Sequence, residues 1–258
     1  MKNNFFCIIM AIICFSCQSK QIFVELTDWE KDNLKGSVQL IKEYRDTLLL
    51  QIIEYNTLGY KEKVLFYMPP KGNLWKEMNF VYDNNYLVEA VSIVDNDEIY
   101  KTQYKRNKHY QIEEEIIIYS NNEINERLLY EYDNRNRIIK TTYVPQNLNT
   151  YYYTFEYTPQ CIKEFHSSYG LSYVNDLNSK GLVIKRNEYK SNGEIHSGKI
   201  YEYNESNDVV LEIELWNNKE TDRIGYEYTY DNKGNWITKN AKWKNGGGYY
   251  LKRKIIYY

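Results

Sequence analysis

The chain has 258 residues, with 29 Tyr against 8 Phe, 12 Gly and 4 Pro. Lys and Arg total 33 and Asp and Glu 35, so the formal charge of −2 leaves no basic footprint for nucleic acid or for an anionic membrane surface. The length suits one large domain or two small ones, and abundant Tyr with little Pro argues against a disordered or a helical chain.

Residues 1–17 read MKNNFFCIIMAIICFSC. Lys2 gives a positive start, and the apolar run from Phe5 to Phe15 has the length of a secretory leader's hydrophobic region. It is too short to cross a bilayer, which needs about twenty residues. The run ends in Ser16-Cys17-Gln18-Ser19, which resembles the lipobox of bacterial lipoproteins. Cys14 and Phe15 stand where that motif carries Leu and a small residue. The resemblance implies cleavage before Cys17 and its lipidation. Residues 18–23 would then be a short tether and residues 24–258 a single β-repeat domain. Gln18, rather than Asp, follows the cysteine, which points to the outer membrane as the destination. Cys7 and Cys14 leave with the leader, so Cys161 has no disulfide partner and is expected to be a buried structural cysteine.

Thr27-Asp28-Trp29-Glu30 predicts a capped helical turn, with Gly36 ending it before a strand over 37–44. From there one pattern recurs to the end of the chain. An aromatic, one residue and Tyr are followed by a turn-former, two polar residues, Gly or Asn, and an apolar pair. The clearest copies begin at Tyr130, Tyr201 and Tyr228. Four residues after the anchor stand Gly59, Asn136, Gly181, Gly193, Asn207 and Gly234, residues that accept a left-handed backbone. A type I turn closed by such a residue makes a tight hairpin with a bulge. Asn84-Asn85 and Asn121-Asn122 suit two-residue type I′ turns. The flanks alternate as strands do: Tyr151, Tyr153, Phe155 and Tyr157 share one face, and Tyr226, Tyr228 and Tyr230 share another.

Tyr228-x-Tyr230-Asp231-x-x-Gly234, with its partner at 130–139, resembles the Tyr-Asp (YD) repeat of the RHS family. The resemblance implies a sequential antiparallel sheet that coils as hairpins are added; the expected fold is therefore all-β and elongated, with the terminal strands as exposed edges. The chain is too short for the shells of large RHS proteins, so encapsulation of a toxic domain is not carried over.

Chemistry-bearing motifs are sparse. His109, His166 and His196 have no ligand spacing, Gly246-Gly247-Gly248 reads as a turn, and no cofactor is expected. Asp95-Asn96-Asp97-Glu98 has only half of a calcium loop's pattern. Glu113, Glu114 and Glu115 are expected to be split between the two faces of a strand. Trp236 occupies a repeat position and is expected in the core, whereas Trp216, before Asn217-Asn218, and Trp243, before the glycine run, are the candidate ligand-stacking residues. The reading that follows is a non-catalytic, lipid-anchored envelope protein presenting a β-repeat surface to a glycan or an envelope protein. The alternatives are an envelope hydrolase with a carboxylate pair, or a structural or immunity-type partner of a secreted protein.

Overall fold

The computed structural model describes residues 26–94 and 97–258; the expected leader, Cys17, the tether and the Asp95-Asn96 pair lie outside them. A short helix, α1 (Asp28–Lys31), is followed by strands β1 (Val38–Arg45), β2 (Leu48–Tyr55), β3 (Lys61–Met68), β4 (Asn73–Asp83), β5 (Tyr86–Val94) and β6 (Asp97–Arg106). Next come β7 (Ile112–Tyr119), β8 (Ile124–Tyr132), β9 (Ile138–Pro145), β10 (Tyr151–Tyr157), β11 (Cys161–His166) and β12 (Gly170–Leu177). The chain finishes with β13 (Val183–Tyr189), β14 (Ile195–Tyr203), β15 (Val209–Trp216), β16 (Lys219–Tyr230), β17 (Trp236–Trp243) and β18 (Gly248–Tyr257).

Each strand pairs antiparallel with its neighbours in sequence, and β1 also pairs with β18. The sheet is therefore a closed barrel of eighteen strands, and this overturns the expected elongated open sheet with exposed terminal edges. The physical reason lies at the termini. Ile41 meets Ile255, and Glu43 meets Arg253, so the last strand satisfies the ladder that the first would otherwise leave open.

The hairpins follow their turn chemistry. Gly59, Asn136, Gly181, Gly193, Asn207 and Gly234 all have positive φ, between 62° and 89°. In the Asp231 turn the carboxylate accepts from the backbone N–H groups of Lys233 and Asn235, and Gly234 N–H donates to the Asp231 carbonyl. Asn56, Asn107, Asp133, Asn178 and Asn204 play the same part in their own turns. Asn84 and Asn85 both have positive φ, as a type I′ turn requires. The Asn121-Asn122 turn differs: only Asn122 is left-handed, and Tyr119 and Glu123 close a longer loop. Tyr110 takes the left-handed position in the Asn107 turn, which its residue type did not announce.

The helix forms at Thr27 through a complete capping box with Glu30. Asn33, at φ 54°, ends it rather than Gly36; Leu34 N–H then donates to the Trp29 carbonyl. Directly opposed residues share a face, so the inner wall can be traced through the pairings. Ile41, Ile53, Val64 and Met78 follow one another through β1–β4. The core is this sector: Leu34, Val38, Ile41, Ile53, Tyr55 and Val64 are buried, with Trp29, Phe80 and Ile255 packed against them. Elsewhere most inner side chains are only half-buried, as expected where eighteen strands enclose more space than side chains fill. The outer wall carries charged rows, including Lys63–Glu77, Lys105–Glu114–Arg127, Lys140–Glu131 and Lys242–Glu227.

Candidate functional site

Turns after even-numbered strands gather at one end of the barrel and turns after odd-numbered strands at the other. The first end carries the N-terminal segment. Trp29 sits on Gly59, where a Cβ would approach its ring to 2.6 Å, and its indole N–H donates to the Val38 carbonyl at 2.9 Å. Asp28 accepts from Lys61 N–H and Asp32 from the Tyr55 hydroxyl, while Asn235 bonds both N–H and C=O of Lys35.

A cavity of about 540 Å³ opens towards the second end, over β12–β16. Register places its main side chains on the inner face, where Tyr173, Glu188, Ser197 and Trp216 partner in succession. Arg186, Lys199 and Glu214 form a second such row. Tyr201 lies one step further along β14.

The charges in the cavity are mostly committed. Lys199 Nζ lies 2.6 Å from Glu212 and 3.0 Å from Glu214, and the Glu212 hydrogen bond holds its ammonium well above the usual lysine range. Glu188 accepts from the Ser197 hydroxyl and, at 3.4 Å, from Tyr173. Burial raises the Tyr173 and Tyr201 phenols, helped by Glu188 at the first and Glu212 at the second, so both remain donors. Glu164, partner of Tyr173 on β11, is also raised by burial, against the pull of Arg186. The cavity thus offers aromatic faces beside fixed hydroxyl and charged groups, an arrangement suited to a polar ligand with apolar ring faces.

Of the two tryptophans singled out by the sequence, the structure brings only Trp216 to this cavity. It is 50% exposed, and its ring meets His196 edge-on at 4.2 Å. Trp243 is half-buried, packed against Tyr249 and the turn at Gly247. Trp236 is half-buried beneath the Arg253 guanidinium, 3.5 Å from its centroid. Cys161, expected to be buried, is half-exposed at the start of β11, where it accepts from the Thr158 hydroxyl. The glutamate run divides by face: Glu114 pairs outward with Lys105 and Arg127, while Glu115 accepts from Tyr130 inside. Sequence reading missed Tyr173, Arg186, Glu188, Lys199 and Tyr201. Their placement on shared inner rows, Arg186 with Lys199 and Glu188 with Ser197, is apparent only once the register is known.

The architecture defines a closed barrel of sequential hairpins with a tyrosine-rich inner wall and a charged outer one. No protein-family model matches the chain, and no curated protein matches it. Among solved structures it is similar to a porin-like protein from Bacteroides uniformis, at 11% identity and TM-score 0.39, covering 86% of this chain and 99% of that one. It is also similar to TcdB2-TccC3, at 11% identity and TM-score 0.37 over 75% of this chain and 13% of that one. The Photorhabdus luminescens Tc holotoxin pore gives 9% identity and TM-score 0.31 over 76% of this chain and 15% of that one.

Proposed function

We propose that the chain is a lipid-anchored protein of the bacterial envelope whose barrel binds a saccharide in the cavity at its second end. The observation that carries the binding is the cavity itself: Tyr173, Tyr201 and Trp216 stand beside the hydrogen-bonding groups of Glu188, Ser197 and Lys199. Sugar rings present apolar faces and hydroxyl edges, so they match such a lining. The link to the membrane is assigned to Cys17 and not to the barrel wall. A wall facing hydrocarbon carries an apolar band, whereas this one carries rows of ion pairs. Acyl chains contribute about 0.8 kcal/mol per buried methylene, and more than one chain anchors stably. The described N-terminal segment packs at the first end, opposite the end at which the cavity opens.

The test is a glycan array probed with the full-length protein in detergent, followed by titration of the hits. Saturable binding that weakens in Trp216→Ala and Tyr201→Ala supports the reading. Hydrolysis of a hit by the pure protein would replace it with an enzymatic one. Metabolic labelling with a fatty acid should mark the wild type and not Cys17→Ala.

A further inference from the structure

Within the cavity one charge stands apart from the others. Lys199 is neutralised by Glu212 and Glu214, and Glu188 is held by two hydroxyls. Arg186 forms no ion pair and donates no hydrogen bond among the described residues. Its guanidinium lies over the Tyr173 ring, 4.1 Å from the centroid. Its side chain is exposed to the space the cavity encloses. Glu164 acts on it only at a distance.

This geometry matters because a guanidinium is a planar fork of donors that meets a carboxylate or sulfate in two parallel bonds. The contact with Tyr173 holds the guanidinium in place while its N–H groups have no hydrogen-bond partner among the described residues, so little freedom is lost when an anion docks. A second ring, Tyr201, lies two strands from Tyr173 in the same cavity and gives a sugar face something to rest on.

We propose that Arg186 is the specificity-determining residue of the cavity and that its ligand is an anionic saccharide, a sugar ring bearing a carboxylate or a sulfate. The inference rests on the saccharide-binding reading above. In it, Arg186 takes the anion, Tyr173 holds the guanidinium in place, and Tyr201 and Trp216 take the ring faces.

The experiment is a calorimetric titration of the full-length protein with three oligosaccharides of equal length: one of uronate residues, the same one methyl-esterified to remove its charge, and one of cationic amino sugars. The uronate form should bind. Esterification should weaken it about tenfold or more, the scale of a charge-assisted hydrogen-bonded pair. Arg186→Gln should abolish that preference, and Arg186→Lys, which keeps the charge and loses the fork, should fall between. Melting curves confirm that both variants fold. If the neutral or cationic form binds as well as the uronate, or if Arg186→Gln leaves the preference intact, the role of Arg186 is overturned while saccharide binding stands. If no saccharide of any charge binds, the reading beneath it falls as well.

Discussion

The Tyr228 hydroxyl donates to the Val209 carbonyl at 2.8 Å, tying the end of β16 to the first residue of β15. The bond recurs around the barrel: Tyr132 to Ile112, Tyr157 to Ile138 and Tyr203 to Val183, each at 2.7 Å. Each tyrosine stands at or near the end of an even-numbered strand and reaches back to the start of the strand before it. The repeated tyrosine is thus a covering ring inside the barrel and a hydrogen-bond donor at its end. At these four positions Phe would keep the ring and lose the bond, which is a reason for Tyr there.

Replacing Tyr228 with Phe keeps the ring and removes the donor. The expected loss is about 1 kcal/mol, the net value of such a bond. Urea unfolding followed by circular dichroism measures it. A change indistinguishable from zero would mean that water serves the Val209 carbonyl equally well.

The turn glycines separate by the space around them. A Cβ on Gly248 would fall 2.0 Å from the Ala241 carbonyl oxygen, at φ 156°. A Cβ on Gly193 meets nothing within 4 Å, at φ 82°. Gly193→Ala should therefore cost only the left-handed backbone term, about 1–2 kcal/mol. Gly248→Ala must also displace backbone, so it should lower the melting temperature clearly more. Equal effects would show that the β17–β18 turn can shift without loss.

The hairpins were legible in the sequence because turn chemistry is local. Asn or Asp at the start, with Gly or Asn three residues on, fixes the bulge wherever it occurs, and Gly59, Asn136 and Gly234 obey it. Closure was not legible. It depends on twist summed over eighteen strands and on a pairing between Glu43 and Arg253, separated by 210 residues. The cavity was legible only at Trp216. Arg186 and Lys199 look like ordinary charged strand residues until the register puts them on one inner row.

Acid should test the Asp231 turn. Burial alone would raise this carboxyl, but the Tyr257 hydroxyl and the N–H groups of residues 233–235 outweigh it and hold it below the ordinary range. Burial, helped by the same bond, pushes the Tyr257 phenol up to about 12. A depressed carboxyl contributes stability that is complete above its unfolded pKa, about 3.9, and is lost as pH falls through the lower folded value. Asp133, depressed by its backbone and Arg137 partners against burial, acts in the same direction. Glu115 and Glu164, raised by burial, act in the opposite one: their stability is complete below the unfolded pKa and lost as pH rises through the folded value. Asp231→Asn keeps the turn, since Asn204 and Asn178 fill the same place. It should lower the melting temperature at pH 7 and flatten its decline below pH 4. An unchanged acid slope would show that Asp231 does not contribute to it.

The closing seam is where a single side chain should matter most. Glu43 is 9% exposed, and its carboxylate receives Arg253 Nε at 2.9 Å across the β1–β18 pairing. Arg253 is held in turn over Trp236, so neither partner is free to turn away. Glu43→Gln leaves the half-buried guanidinium without its counter-charge, a loss of up to about 3 kcal/mol, the low end for buried pairs. Glu43→Leu combined with Arg253→Met removes both charges and should recover most of that loss, because the pair's own desolvation cost disappears with it. Hydrogen exchange locates the effect. In Glu43→Gln the amides of Ile41 and Ile255 should lose protection before those of β10 and β11, on the far side of the ring from the seam. Uniform loss of protection around the ring would instead make the barrel one cooperative unit, with no weak point at the strands that close it.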